Sequence, residues 1–120
     1  MRLLFSVFIC LFYFTVSSQQ TYVPDDNFEA YLEASGMGDG IANNDSVTKD
    51  NIRGVTTLYM SDYLDIADLI GIEDFTALTI LYCNNNQLTN LDVSQNTALT
   101  KLYCGGNQFD CDALKAKYGL

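Results

Sequence analysis

The chain has 120 residues, and 15 acidic against 6 basic side chains give it a formal net charge of −9. It contains no histidine and no tryptophan, which excludes Ser-His-Asp and Cys-His catalytic arrangements and most zinc sites. A surface this acidic repels nucleic acid and anionic membranes.

The first residues have the layout of a secretory signal peptide. Arg2 is followed by an apolar run from Leu3 to Val16 and then by small residues, and the run is too short to span a bilayer comfortably. Cys10 lies in this run without the small residues of a lipid-attachment box before it. We therefore predict a signal peptide over residues 1–18 and a secreted protein, extracellular or at the cell surface, with no membrane insertion after cleavage.

The cleaved chain would keep 102 residues (120 − 18), enough for one small domain. In the predicted N-terminal cap, residues 19–54, Asp26 and Glu29 have the spacing of a capping box, and Gly36 is a helix stop signal. A helix is expected over about 26–35, with one apolar face. That face comprises Phe28, Tyr31 and Leu32.

Residues 38–45 read "GDGIANND" and contain several oxygen ligands that calcium could use. They lack the alternating ligands and the distal glutamate of an EF-hand loop. Asn, Asp and Gly also dominate ordinary turns, and this interpretation is favoured over a calcium site at Asp39–Asp45. A short strand is expected directly afterwards, at about 46–48.

Three similar units follow, over residues 55–77, residues 78–98 and residues 99–109 onward. At a spacing of 21, seven residues of the second unit recur in the third. These pairs are Leu78 and Leu99, Thr79 and Thr100, Leu81 and Leu102, Tyr82 and Tyr103, Cys83 and Cys104, Asn86 and Asn107, Gln87 and Gln108. The pattern L-x-x-L-x-(L/C)-x-x-N-x-L is typical of a leucine-rich repeat.

Each unit contains a short strand whose period of two separates its side chains. In "ILYCN", Leu81 and Cys83 point to one side, and Ile80, Tyr82 and Asn84 to the other. Stacked copies of this strand would form a parallel sheet whose first set of side chains fills a shared core. Further residues are expected to point inward, namely Leu88, Leu91 and Val93, together with Asn86 and Asn107, whose amides can satisfy backbone groups of the turn.

A C-terminal capping helix is predicted over residues 110–120. The last unit of a repeat stack needs such a cap to cover its exposed apolar end. Asp110 has the position of an N-cap and Gly119 that of a stop signal. Cys111, Leu114 and Tyr118 are spaced to lie on one face of this helix.

With its repeats and both caps, the chain resembles secreted bacterial leucine-rich repeat proteins of the internalin-like kind. The resemblance extends from "TYVPDDNFEAYL" through "DLIGIEDFTALTILYC" to "LDVSQNTALTKLYC". It implies an α/β fold, a right-handed leucine-rich repeat solenoid with a parallel β-sheet on its concave face and helical caps at both ends. It also implies that other molecules bind on that face. Many such proteins are longer and end in a sorting or wall-anchoring domain, so this chain is either a minimal secreted protein or a copy of part of a longer one.

The outward strand residues are the candidate ligand-binding site. Three tyrosines, Tyr59, Tyr82 and Tyr103, would stand in one row across the strands, with Ile80, Asn84 and Lys101 beside them. Tyrosine rows suit protein partners and sugar rings alike, because each ring offers a large contact area and a hydroxyl. The alternative is that cross-strand tyrosines only stabilise the sheet.

The cleaved chain would hold an odd number of cysteines, Cys83, Cys104 and Cys111. Cys83 and Cys104 occupy a core position of the repeat, so small buried thiols and no disulfide are favoured. An export signal nevertheless permits a bridge, either Cys104–Cys111 or Cys83–Cys104.

The sequence as a whole predicts a secreted, monomeric binding module without catalytic residues, metal or cofactor. Its partner would be an extracellular protein or carbohydrate, bound on the strand face, and not nucleic acid. Two alternatives stay open: a truncated or purely structural repeat protein with no ligand of its own, and a hydrolase using scattered carboxylates. The hydrolase is disfavoured because no convergent acid pair is visible; Glu73 and Asp74, for example, are merely adjacent in a turn.

Overall fold

A computed structural model describes residues 19–120 of the chain, so the predicted signal peptide at residues 1–18 lies outside the described residues. The elements, in chain order, are β1 (Gln20–Tyr22), α1 (Asp26–Ala34), β2 (Ser46–Thr48), α2 (Lys49–Ile52), β3 (Thr57–Tyr59), a 3-10 helix (Ile72–Asp74), β4 (Ile80–Tyr82), β5 (Lys101–Tyr103) and α3 (Cys111–Tyr118). Among the helices of residues 19–120, none combines the length and apolar character that a membrane span requires.

The three repeat strands form one parallel sheet in the order β3-β4-β5. Leu58 pairs with Leu81 and Leu81 with Leu102, so partners in the sheet are repeat equivalents in the sequence. Backbone bonds extend the pairing beyond the strands, as from the Cys83 N–H to the Tyr103 carbonyl (2.9 Å). The backbone hydrogen bonds therefore fix the register between neighbouring units, and each strand residue lies beside its repeat equivalent in the next unit.

The inward residues of the three strands pack into one core, as the two-residue period predicts. Leu58, Leu81 and Leu102 are all buried, and the following inward positions, Met60, Cys83 and Cys104, are buried as well. The returning limb contributes Leu88, Leu91 and Val93 to the same cluster.

Asn86 satisfies the backbone where the chain leaves the sheet. Its amide nitrogen donates to the carbonyls of Met60 (2.6 Å) and Cys83 (3.2 Å), and its side-chain oxygen accepts from the Ile66 N–H (3.2 Å). Asn107 repeats this role one unit later, with bonds to Cys83, Cys104 and Leu88. These asparagines turn inward, as expected.

Helix α1 begins at Asp26, as expected, but it is capped by a different residue from the one that the capping-box spacing predicts. The N-cap is Asp25, whose Oδ1 accepts from the Asn27 and Phe28 N–H groups. The predicted box of Asp26 and Glu29 is wrong, because the buried Glu29 carboxylate reaches away to accept from the Asn44 and Asp45 N–H groups. Glu29 thus ties the following loop to the helix.

Helix α1 contacts the first repeat at several points. The Tyr31 hydroxyl accepts a hydrogen bond from the Tyr59 N–H of the edge strand β3 (3.1 Å). The rings of Phe28 and Phe75 stack with centroids 6.2 Å apart. An edge strand offers unpaired backbone groups to other chains, and the Tyr31 contact occupies one of them.

At the other end, helix α3 begins after Asp110, whose Oδ1 accepts from the Ala113 N–H (3.0 Å). It ends at Gly119, which has a positive φ of 69°. Leu114 and Tyr118 are half-buried against the core, and no residue of this helix is fully buried. Helix α3 is therefore less buried than α1, in which Phe28, Glu29 and Leu32 are buried.

Candidate ligand-binding face

Nine outward positions, eight of them with side chains, form the surface that we call the strand face. In three rows of three, it comprises Thr57, Tyr59 and Ser61, then Ile80, Tyr82 and Asn84, then Lys101, Tyr103 and Gly105. The pairing of β3, β4 and β5 brings Tyr59, Tyr82 and Tyr103 side by side. The structure therefore assembles the predicted tyrosine row.

The tyrosine rings stack on one another along this row. Ring centroids lie 4.9 Å apart for Tyr59 and Tyr82, and 4.5 Å apart for Tyr82 and Tyr103. Their planes differ by 17° and 5°. Neighbouring strands are separated by about 4.8 Å, so the strand spacing itself sets the rings at stacking distance.

Stacking decides which ring surfaces remain open to a ligand. Tyr82 has a ring against each of its two faces and is half-buried. Tyr59 is 64% exposed and Tyr103 44% exposed, because each is covered by a ring on one side only. A ligand can therefore meet all three ring edges and hydroxyls, but it can lie flat only on Tyr59 or Tyr103.

Burial between two other phenols changes the acidity of the central ring. Desolvation raises the pKa of Tyr82 above its ordinary value of 10.0, and the nearby Tyr103 and Tyr59 raise it further. Tyr82 thus remains a neutral hydroxyl at physiological pH, able both to donate and to accept a hydrogen bond.

The other predicted site residues flank the tyrosine row. Ile80 and Asn84 are half-buried on β4 and just after it, and Lys101 is exposed on β5. Lys101 lies opposite Ile80 in the sheet. The structure therefore brings all six predicted residues to one surface, and their role in binding stays a prediction.

A pocket of about 750 Å³ opens at the C-terminal end of the strand face, and we call it the end pocket. It is lined on one side by residues of the strand face, including Tyr103 and Gly105, and on the other by Phe109, Asp110 and Lys115. The sequence reasoning missed this second wall, because it depends on where α3 packs. One signal was visible: Gly105 stands where the two preceding units have Ser61 and Asn84.

The cysteines correct one sequence-based interpretation. Cys104 and Cys111 form a disulfide, with Cα atoms 5.5 Å apart, so the favoured prediction of no bridge is wrong and one of the two alternative pairings is present. The start of α3 brings Cys111 back beside the end of the last strand. Cys83 is free and buried, and burial raises the pKa of its thiol to about 12. Such a thiol is a core side chain and a poor nucleophile.

One acidic group within residues 19–120 has the spacing of cation ligands. Oxygens of Asp26, Glu29 and Asp45 all lie within 4.8 Å of one another. The Glu29 carboxylate already accepts the Asn44 and Asp45 N–H groups. In the neighbouring turn, Asp39 accepts from the Ile41 N–H and the Asn44 side chain, which is the hydrogen bonding of an ordinary Asx turn. The Glu29 and Asp39 carboxylates in this region are therefore already engaged in hydrogen bonds with the loop.

Comparison with known proteins identifies the repeats. Residues 76–116 match the sequence model for two copies of the leucine-rich repeat. The chain is 38% identical over 75 residues to Internalin J of Listeria monocytogenes serotype 4b (strain F2365), an alignment that covers 62% of this chain and 8% of that protein.

Solved structures agree. The functional domain of InlJ from Listeria monocytogenes, described as including a cysteine ladder, aligns with a TM-score of 0.59 and 35% identity over 75% of this chain and 20% of that one. Internalin InlF from strain 4b F2365 aligns with a TM-score of 0.64 and 28% identity over 84% of this chain and 31% of that one. The chain spans less than a third of the length of each relative. The resemblance inferred from the sequence is confirmed: residues 76–116 carry leucine-rich repeats, and the chain is similar to internalins of Listeria monocytogenes.

Proposed function

We propose that this chain is an exported, non-catalytic binding module that recognises an extracellular macromolecule through its strand face. In this proposal the repeats form a right-handed solenoid, with the strand face concave and the ends capped by the segments that carry α1 and α3. The observation that carries the proposal is the exposed stack of Tyr59, Tyr82 and Tyr103 on a sheet held by backbone hydrogen bonds.

A rigid aromatic surface favours recognition because a partner that binds it loses little binding free energy to the ordering of side chains. The three rings are already fixed by one another, so binding would cost them little conformational entropy. Tyrosine is also enriched among the residues that dominate binding energy at interfaces. Tyr59 and Tyr103 are 64% and 44% exposed, so a partner can reach both rings.

The charge distribution limits the class of partner. Residues 19–75 hold 12 acidic and 2 basic side chains (2 − 12 = −10), while residues 76–120 hold 3 of each (3 − 3 = 0). Nucleic acids and anionic membranes would be repelled by the first half. A neutral or basic partner would meet no such repulsion.

Two features support export. The predicted signal peptide has the expected layout in the sequence, and disulfides such as Cys104–Cys111 persist mainly in oxidising compartments outside the cytosol.

The proposal is tested by capture with a matched pair of variants. The chain of residues 19–120 would be immobilised and exposed to mixtures of extracellular proteins and glycans. A Tyr59→Ala/Tyr103→Ala variant should lose the molecules that the wild-type chain retains. Tyr22→Ala is the control, because Tyr22 is 62% exposed but lies on β1, away from the strand face.

Circular dichroism would establish that each variant is folded. If the double variant retains the same molecules as the wild type, recognition does not use the strand face. If the wild type retains nothing beyond a blank support, the purely structural alternative is favoured.

A further inference from the structure

We infer that the end pocket binds one neutral sugar ring, laid against the open face of Tyr103. This inference rests on the proposed function, because it names the ligand chemistry of one part of the strand face. Three features of the pocket support it: the space beside Gly105, the open aromatic face of Tyr103, and a mixed set of hydrogen-bond donors and acceptors.

The hollow exists because a side chain is missing from one row of the strand face. Ser61 and Asn84 fill the outward position after the tyrosine in the first two units, and Gly105 leaves it empty in the third. A Cβ placed on Gly105 would meet no atom within 4 Å, and its backbone is outside the left-handed region that demands glycine. The next residue, Gly106, differs, because its φ is +69° and a Cβ there would collide with Asn85. The backbone at position 105 therefore does not require glycine, and the absence of a side chain there leaves open space in the pocket.

The platform is the face of Tyr103 that Tyr82 does not cover. Tyr82 stacks on one side of this ring, and the segment from Phe109 onward forms the far wall of the pocket. The π face of an aromatic ring is negative, and the C–H bonds on one face of a pyranose form a flat, weakly positive patch. A pyranose ring can therefore lie on Tyr103 as another aromatic ring would.

The polar groups around the Tyr103 ring include both hydrogen-bond donors and acceptors, as the hydroxyls of a sugar ligand require. Asp110, Asp112 and Lys115 line the pocket and sum to a formal charge of −1, and Asn84 adds an amide. Each sugar hydroxyl both donates and accepts hydrogen bonds, so carboxylate, ammonium and amide can all be used. An anionic ligand would meet two carboxylates and a chain of strongly negative charge. A cationic side chain would meet the Lys115 ammonium as well as the two carboxylates, so it is the competing ligand that the titration must distinguish from a sugar.

The two walls of the pocket are linked covalently. Cys104 and Cys111 both line it, and their disulfide fastens the start of α3 to the end of the strand that carries Tyr103. The Asp110 carboxylate is further positioned by its capping bond to Ala113. The pocket is therefore formed before a ligand arrives, which lowers the cost of binding.

The experiment is an NMR titration of the ¹⁵N-labelled chain of residues 19–120, following the backbone amides of Gly105, Gly106 and Asp112. The probes are the methyl pyranosides of glucose, galactose and mannose, and N-acetylglucosamine. Sorbitol, an open-chain polyol, serves as the control for hydroxyls without a ring. At least one pyranoside should give saturable shifts of these amides, and sorbitol should give none.

Gly105→Asn restores the side chain found at Asn84 and should fill the hollow, weakening sugar binding by about tenfold or more. Gly54→Asn is the matched control, because a Cβ at Gly54 also meets nothing within 4 Å and Gly54 is not among the lining residues. It should bind sugar as the wild type does.

The inference is overturned if no pyranoside gives saturable shifts, or if Gly105→Asn binds as tightly as Gly54→Asn. It is equally overturned if N-acetylarginine amide shifts the three amides and the pyranosides do not, since the pocket would then hold a cationic side chain.

Tyr59→Ala separates this inference from the proposed function, because Tyr59 lies at the far end of the tyrosine row and does not line the pocket. This variant should lose macromolecule capture and keep the sugar-induced shifts. Loss of capture in Tyr59→Ala without any sugar binding to the wild type would leave the proposed function standing and remove the sugar pocket. Sugar binding without any capture that depends on the tyrosine row would support the pocket and remove the broader function.

Discussion

The ring of Tyr82 lies parallel to that of Tyr103, with 5° between their planes and 4.5 Å between their centroids. Tyr59 covers the opposite face of Tyr82 at 4.9 Å. The central tyrosine of the candidate site is therefore mainly a support for its neighbours, and the outer two tyrosines carry the surface that a ligand can reach. This division of roles can be measured through stability.

Tyr82→Ala should destabilise the chain more than Tyr103→Ala does. An aromatic pair contributes about 0.5–1.5 kcal/mol beyond area burial, and Tyr82 belongs to two such pairs while Tyr103 belongs to one. We expect a loss of about 1–3 kcal/mol from these pairs for Tyr82→Ala and about half of that for Tyr103→Ala. Urea unfolding would measure both, and equal losses would contradict a supporting role for the central ring.

The raised pKa of Tyr82 predicts a loss of stability at alkaline pH. Desolvation, and then the neighbouring Tyr103 and Tyr59, raise the pKa of the folded state above 10.0. The contribution of Tyr82 is therefore fully present below the unfolded pKa and is lost as pH rises through the folded pKa. The urea midpoint of the wild type should fall more steeply than that of Tyr82→Phe above about pH 10. Parallel pH curves would show that ionisation of Tyr82 is not linked to folding.

Asn86 should be among the most sensitive polar residues of the fold. Its side chain is buried and bonds to Met60, Cys83 and Ile66, so truncation leaves several buried backbone groups without partners. Asn86→Ala should cost about 3 kcal/mol or more. Asn107→Ala, at the equivalent but half-exposed position, should cost about 1 kcal/mol, because water can replace the amide.

Asn90→Ala, at an exposed position, is the control and should change the free energy of unfolding by less than about 0.5 kcal/mol. A cost for Asn86→Ala as small as that for Asn90→Ala would mean that the buried amide does not hold the turn.

The disulfide predicts a thiol count and a redox effect. A chain of residues 19–120, denatured without reductant, should show one reactive thiol, that of Cys83. In the folded chain this thiol should react slowly, because burial raises its pKa to about 12. Three reactive thiols in the denatured chain would contradict the bridge.

Reduction of the bridge should cost about 2.5 kcal/mol, as loop closure over a sequence separation of 7 predicts. Because no residue of α3 is fully buried, reduction should also make this helix more accessible to protease than the strands. Cys111→Ser should behave like the reduced wild type and be unaffected by reductant. A bridge that contributes nothing to stability would show no shift of the unfolding midpoint on reduction.

Much of the sheet could be predicted from the sequence because repeat spacing and strand period are local quantities. A spacing of 23 sets Tyr59 opposite Tyr82, and one of 21 sets Tyr82 opposite Tyr103. Alternation along each strand then determines that Leu81 and Cys83 are buried and that the tyrosines face outward. The start of α1 near residue 26 agrees with the prediction, but its capping residue does not, because both Asp25 and Asp26 can cap a helix. Asp25 is the N-cap, and its Oδ2 also accepts from the Ala67 and Asp68 N–H groups, which are distant in the sequence.

The features that define the candidate site depend on how distant segments pack. The sequence favoured free cysteines and left Cys83 and Cys111 as alternative partners for Cys104. The packing of α3 beside the last strand brings Cys111 to Cys104. The same packing creates the second wall of the end pocket beside Gly105. The sequence by itself determined which side chains share the strand face, because a regular strand repeats every two residues. Only the tertiary structure decided which ring faces stay open and where the pocket lies, because those depend on contacts between units that no local pattern encodes.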